Sequence, residues 1–374
     1  MDKKVLITGG AGFVGSHLAD EALKRGYKVR ILDNLDPQVH GNDPQIPKYL
    51  NREIEFIKGD IGDAGIVEKA IKGMEYIFHD ASAVGVGQSM YKIKHYINTN
   101  DTGTATLLDI ILNKKNNIKK LVAASSMSIY GEGAYECSKC GPAYPVNRDE
   151  VDLKNRKWDP LCPSCGSKIK SVPTPEHKPL NPTSIYALSK KQQEDMCILI
   201  GKTYKIPTVA LRYFNIYGPR QALSNPYTGV AAIFSSCLLN NNRPLVFEDG
   251  MQTRDYIHVR DIARANLMAM EESKADYQIF NVGSERPMPV LELAEILAKN
   301  LNKDMEPKVL YKYRSGDIRH CYSDSSKIRN ELGFRCSVRF EEGIKDLIDW
   351  VKKEDARDLT KIASMELESK GLCI

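Results

Sequence analysis

The chain has 374 residues, 42% hydrophobic and 27% charged, a soluble globular composition long enough for roughly two to three domains. A net charge of +5 is no polybasic signal, so nucleic acid is not expected as a partner. No signal-peptide core and no run of roughly 18 apolar residues is present, so no membrane partner is expected and a reducing, cytoplasmic setting is.

Lys4–Thr8 is a short apolar run that reads as a buried strand. A glycine-rich turn, Gly9 to Gly15, leads into a helical pattern over Ser16–Arg25 and a second strand, Lys28–Leu32, that ends at Asp33. In a nucleotide site Gly9 makes the tight turn, Gly12 lets the backbone approach a pyrophosphate and Gly15 lets helix pack on strand. The helix N-terminus then offers free N–H groups to phosphate. Asp33 can accept hydrogen bonds from ribose hydroxyls and repels a 2′-phosphate, which favours NAD over NADP. The glycine triplet alone also fits an ordinary turn; its place between strand and helix is what points to a nucleotide.

Further strand-like runs are Glu55–Lys58, Tyr76–His79, Lys120–Ala124 and Thr208–Tyr213, with helical patterns such as Asp101–Leu112 and Ile185–Tyr204 between them. The alternation predicts an α/β fold with a doubly wound parallel sheet. Residues 133–171 break it: they are rich in Cys, Pro and Gly and read as an insertion. The expected division is a cofactor domain over 1–132 and 172–217, and a smaller α/β substrate domain over 218–350, with about 251–275 returning to the first. Residues 351–374 are a surface helix or frayed tail.

Tyr186 and Lys190 sit at i and i+4 of a helical stretch and so share a face. A free Tyr is a poor base near neutrality, but a neighbouring ammonium favours its phenolate. Alone, the pair also fits a helix surface. Ser125 and Ser126, however, follow Leu121–Ala124, and ligands of such sheets bind at the carboxyl ends of strands.

Four of the nine cysteines form Cys137-x-x-Cys140-Gly and Cys162-x-x-Cys165-Gly, with 21 residues between the pairs. Four thiolates so spaced suit a closed, structural tetrahedral Zn²⁺ site. Two disulfides or a redox pair are the alternatives, and the glycines and a reducing setting oppose both. The insertion separates Ser126 from Tyr186, so the ribbon is expected beside the mouth of the site they form, shaping its pocket or a lid.

At these positions the chain resembles the extended short-chain dehydrogenase/reductases, specifically the NAD-dependent nucleotide-sugar epimerases and dehydratases. The matching stretches are Thr8–Gly15, Gly59-Asp60-Ile61, His79-Asp-Ala-Ser, Asn100 in TNxxGTxxLL, Ser125-Ser126-x-x-Ile-Tyr-Gly, Tyr186-x-x-x-Lys190, Arg212-Tyr-Phe-Asn215-x-Tyr-Gly-Pro-Arg, Arg254-Asp-Tyr-Ile-His and Arg314-x-Gly-Asp317. The resemblance implies a Rossmann fold and an NAD site at Gly9, Gly12, Phe13, Val14, Asp33, Asn34, Asp60, Ile61, Ala81, Asn100, Ser125, Tyr186, Lys190 and Phe214. It implies Ser126, Tyr186 and Lys190 as the catalytic triad. Substrate contacts would come from Val86, Ser126, Tyr186, Asn215, Val230, Phe247, Arg254, Arg314 and Asp317. Phe247 would pack on a pyrimidine base, although plain core fits it equally. Val84 departs from the galactose epimerases, which carry a cofactor-contacting Lys there.

The dehydratases of the family carry an Asp-Glu pair after the serine. Met127 and Ser128 stand there instead, so dehydration is disfavoured, as are decarboxylation and a 3,5-epimerase's Cys. What remains suffices for inversion at C4: oxidation with NAD, turning of the 4-keto sugar, and reduction on its other face. The insertion further resembles that of the zinc-ribbon-containing dTDP-L-rhamnose 4-epimerase subgroup, through YGEGxYxCxxCG, WxPxCPxCG and RYFNxYGPRQALSNPYTG. The expected substrate is therefore a dTDP- or UDP-sugar, with dTDP-L-rhamnose/dTDP-6-deoxy-L-talose first and UDP-glucose/galactose or UDP-uronate as alternatives. A dTDP-4-keto-sugar reductase competes, but should prefer NADP, against Asp33. A non-catalytic NAD-binding regulator competes too, against the intact Ser126, Tyr186 and Lys190. The family also implies a homodimer through the helices after Asn100 and around Tyr186, with Leu107, Ile110, Ile111, Met196 and Leu199 as apolar candidates.

Overall fold

The structure is a computed structural model that describes residues 3–42 and 44–374. Seven parallel strands form its central sheet: β1 (Lys4–Thr8), β2 (Lys28–Asp33), β3 (Glu55–Lys58), β4 (Tyr76–His79), β5 (Lys120–Ser126), β6 (Thr208–Tyr213) and β7 (Ile279–Val282). Their order is β7-β6-β5-β4-β1-β2-β3, so the winding reverses between β1 and β4. Ligands bind at such a switch point, outside the carboxyl ends of the strands.

Alternation along β1 explains the layering. Val5 and Ile7 face one layer, with Leu18, Ala22, Ile262 and Leu267; Leu6 faces the other, with Val67, Ile71, Leu107 and Ile111. The sheet is thus buried on both faces, as a parallel sheet requires. Leu107, Ile110 and Ile111 pack in this core, the alternative to a place in a dimer contact. On the Ile185–Tyr204 helix, Leu188 and Leu199 point outward, 39% and 65% exposed.

A separate core, built on Phe234, Leu238, Val246, Leu293, Leu297, Phe340 and Leu347, lies apart from the two layers on the sheet. The expected return to the cofactor sheet needs extending: it runs past 275 to β7, which pairs in register with β6 from Ile279↔Ala210 to Val282↔Tyr213. The insertion folds as a three-stranded antiparallel sheet of Gly141–Ala143, Ala134–Cys137 and Lys170–Val172.

The C-terminal segment is not frayed. Thr360–Ser369 is helical, with Ala363 and Leu367 buried, and the last residues pair with 313–315 through mutual backbone bonds of Tyr313 and Ile374 (2.9 and 3.0 Å). Its apolar residues have a surface to cover, which local sequence does not show. No helix among the described residues is long and apolar enough to cross a membrane.

Candidate active site and metal centre

A cavity of about 600 Å³ opens at the switch point and runs from the glycine turn to the substrate domain. Gly9 turns at φ +69°, and a Cβ there would lie 2.8 Å from the Ala81 backbone. A Cβ on Gly15 would lie 2.5 Å from the Gly9 carbonyl oxygen, so this glycine lets the Phe13–Lys24 helix pack on the loop. Gly12 faces open space apart from the Gly9 oxygen. The helix has neither a side-chain cap nor an acid in its first turn, leaving its N–H groups for an anion.

Asp33 is buried, and its two oxygens accept from Ala11 N (3.0 Å) and Leu35 N (2.8 Å). Each carboxylate oxygen can accept again, so Asp33 both pins the loop and keeps acceptors for a ribose. This cradle fits NAD. Phe13, Val14, Ser125 and Phe214 also line the cavity. The Ser125 hydroxyl is committed elsewhere: it donates to Glu194 (2.6 Å), which Arg212 holds through two further bonds.

Asn34, Asp60, Ile61, Ala81 and Asn100 stand outside the cavity wall. Asn34 donates to Asp60 (2.9 Å), and Ile61 is buried against Gly103 and its core neighbours. Asn100 is fully buried and works as a brace. Its amide bonds both backbone groups of Ala83 and the Ser189 hydroxyl, tying the loop after β4 to the Ile185–Tyr204 helix.

β5 ends at Ser126, and the Ile185–Tyr204 helix carries Tyr186 and Lys190; all three reach the cavity. Ser184 caps this helix by accepting from Ala187 N (3.1 Å), and Ser89 accepts from Tyr186 N (3.0 Å). Both serines fix the first turn, and neither stands out in the sequence. Burial pushes the Tyr186 phenol up, against the Ser126 hydroxyl, which pulls it down. Without the positive charge of a nicotinamide ring beside it, desolvation outweighs what the neighbours give, so the phenolate needs both that charge and the Lys190 ammonium. Burial also pushes Lys190 down to about 8, opposed chiefly by Asp80. Asp80 is itself raised to about 6 by burial, and its Oδ2 has no hydrogen-bond partner in the chain.

The Lys190 ammonium, charged below about 8, is the form that supports a phenolate. Asp80→Asn removes the carboxylate that keeps Lys190 protonated. The alkaline limb of the pH–rate profile is then expected to move to lower pH than in the wild type; an unmoved limb contradicts this coupling.

Asn215, Val230, Phe247, Arg254, Arg314 and Asp317 line the far end of the cavity, and Val86 its side. Asp317 accepts from Arg314 Nε (2.8 Å), and the Arg314 guanidinium lies 4.5 Å over the Phe247 ring. Arg254 donates to the carbonyls of Thr253, Ile318 and Arg319. Asn215 Oδ1 and Gln252 Oε1 are buried without partners in the chain, and buried polar atoms rarely stay so. Gln252 escapes notice in the sequence because nothing in its neighbourhood marks it. Met127 and Ser128 stand beside Ser126, and Ser128 Oγ donates to Ser126 Oγ (2.9 Å), so no carboxylate occupies those two wall positions.

The sulfurs of Cys137, Cys140, Cys162 and Cys165 all lie within 4.8 Å of one another, and none is in a disulfide. Tetrahedral Zn–S bonds of about 2.3 Å put sulfurs about 3.8 Å apart, inside that limit. Gly141 (φ +77°) and Gly166 (φ +67°) end each knuckle in the left-handed conformation. The donor set fits zinc.

A profile described as NAD dependent epimerase/dehydratase family matches residues 5–148, and one described as GDP-mannose 4,6 dehydratase matches 166–347. A dTDP-L-rhamnose 4-epimerase of Burkholderia thailandensis is 31% identical over 358 residues, covering 94% of this chain and 96% of that protein. The chain belongs to the NAD-dependent epimerase/dehydratase family. Among solved structures, the UDP-glucose 4-epimerase of Thermotoga maritima with UDP-glucose is similar at TM-score 0.75 and 31% identity, covering 94% of this chain and 99% of that one. The UDP-glucuronic acid 4-epimerase of Bacillus cereus with UDP-glucuronic acid and NAD is similar at TM-score 0.76 and 26% identity, with 94% and 99% covered. Within the family the chain is an isomerase of the epimerase type.

Proposed function

We propose that the protein inverts C4 of a nucleotide sugar, with dTDP-L-rhamnose and dTDP-6-deoxy-L-talose as its pair. The observation that carries the C4 reading is the convergence of Ser126, Tyr186 and Lys190 on the cavity at the switch point, with Met127 and Ser128 where an eliminating acid pair would stand. NAD in the glycine cradle supplies the acceptor and donor of the C4 hydride. Tyr186 Oη removes the proton of the sugar 4-hydroxyl and later returns it to the 4-keto oxygen. Ser126 bridges the two oxygens, and Lys190 favours the charged phenolate. Arg254 and Arg314 hold the diphosphate while the keto sugar turns, since a guanidinium pairs phosphate oxygens through a planar fork.

The 6-deoxy sugar is favoured by Val86, an apolar cavity residue that suits a methyl better than a hydroxymethyl or carboxylate. The resemblance of the ribbon to the dTDP-L-rhamnose 4-epimerase subgroup supports the same choice. We further assign the four cysteines to a structural zinc ion and the exposed Leu188/Leu199 face to a homodimer in the cytoplasm. Steady-state kinetics with dTDP-L-rhamnose, UDP-glucose and UDP-glucuronate test the substrate. The highest kcat/KM is expected for dTDP-L-rhamnose; a higher value for either UDP-sugar replaces it with that sugar.

A further inference from the structure

We propose that Arg148, inside the inserted ribbon, is a positioning residue for the nucleotide end of the substrate site and couples the ribbon to nucleotide affinity. The inference rests on the nucleotide-sugar reading above.

The side chains of Arg148 and Arg319 are 4% and 3% exposed, and both are surrounded by carboxylates. Arg148 Nη2 donates to Glu248 Oε1 (2.6 Å) and to the Asp317 carbonyl oxygen (2.8 Å), and Nη1 to the Trp158 carbonyl (3.1 Å). Arg319 pairs with Glu248 (3.0 Å), Asp249 (2.6 Å) and Asp159 (2.7 Å). Glu132, at the entrance of the insertion, accepts from Arg319 N (2.6 Å) and Tyr135 Oη (2.9 Å) and lies 3.4 Å from Arg148. Ribbon and substrate domain are thus keyed by buried charges of both signs. Taking charges out of water is costly, so such a cluster is better explained by what it holds in place than by stability.

What it holds is the cavity wall. Glu248 follows Phe247 and has φ +52°, a left-handed conformation that a non-glycine residue keeps only when its surroundings impose it. Arg148 and Arg319 grip its carboxylate. The Asp317 carbonyl, which Arg148 also grips, belongs to the residue that aims Arg314 over the Phe247 ring. Arg148 therefore touches both arms of the wall assigned to base and diphosphate. It reaches neither β5 nor the catalytic helix, where Ser126, Tyr186 and Lys190 sit. Its loss should loosen nucleotide binding and spare the chemistry.

Arg148→Met is a fair probe because each carboxylate keeps another partner: Glu248 keeps Arg319, and Glu132 keeps Arg319 N and Tyr135. Full-length protein is titrated with UDP and with dTDP by calorimetry, with zinc and NAD content measured alongside. In Arg148→Met the nucleotide Kd and the sugar KM are expected to rise about tenfold or more, with kcat within about threefold and zinc and NAD content unchanged. Arg148→Lys, which keeps the charge but has one nitrogen for three partners, is expected to recover part of the affinity. A folded Arg148→Met with unchanged Kd and KM overturns the proposal, as does a fall in kcat at constant KM. Should Arg148→Met fail to fold, an unchanged Kd in Arg148→Lys overturns it. Wild-type protein that binds neither UDP nor dTDP fails the nucleotide-sugar reading itself; wild-type binding matched by the variants fails only the role of Arg148.

Discussion

Tyr186→Phe is expected to lower kcat by roughly 10²–10⁴-fold while KM stays within about threefold. The substitution removes one oxygen, and that oxygen is the only group on the catalytic helix assigned to both remove and return a proton. Little else changes. The ring is 9% exposed and packs edge-on to Tyr96 at 6.4 Å, a contact phenylalanine keeps. The helix turn is fixed by Ser184 and Ser89 through backbone bonds that do not involve the phenol. The melting temperature should therefore stay within a few degrees, since one hydrogen bond is worth about 1 kcal/mol. An unchanged kcat refutes the assignment of Tyr186, whereas a collapsed fold would mean the phenol is structural.

Cys137→Ser is expected to empty the ribbon of zinc and unfold it locally. The ribbon's own core is small: Tyr135, Cys137, Ala143 and Cys162, with Ile169 alongside, and a separate cluster of Leu153 and Trp158 against Tyr313. So few buried side chains do not offset the ordering of about forty residues. Zinc binding, about 10–16 kcal/mol in isolated zinc-finger peptides, is the natural source of the difference. Limited proteolysis should then cut within 133–171, while the central sheet, whose two cores do not include the ribbon, remains protected. Zinc content should fall from about one per chain to near none. Full zinc occupancy, or a ribbon that resists protease without metal, contradicts the structural assignment.

Much of the site is legible in the sequence because its constraints are local. The glycine turn, Asp33, the Tyr186/Lys190 spacing and the two cysteine knuckles each depend on a few adjacent residues and on one element's geometry. Six of the seven central strands are legible for the same reason, as short apolar runs. β7 is not: it has four residues, and its partner Thr208–Tyr213 lies some seventy residues earlier. The ordered C-terminal strap depends on pairing with 313–315, which no local pattern predicts. Asn100 is flagged by its motif, but its work as a brace for Ala83 and Ser189 appears only when the loop after β4 meets the catalytic helix. The charge cluster around Arg148 is likewise invisible in a ribbon whose charges look mixed, because its carboxylates come from positions 132, 159, 248 and 249. The phenol of Tyr186 makes the same point energetically. Spacing shows the helpful lysine, and only burial shows the opposing desolvation.

The central claim is that C4 is oxidised and reduced again within one site. It is tested most directly by incubating the purified protein in D₂O with dTDP-L-rhamnose, and with UDP-sugars in parallel, and following C4 by NMR. The account predicts inversion at C4 without added NAD and with no deuterium at C4, because the hydride that leaves is the one that returns. Deuterium at C4, a net oxidised or reduced product, or no inversion of any sugar would contradict it.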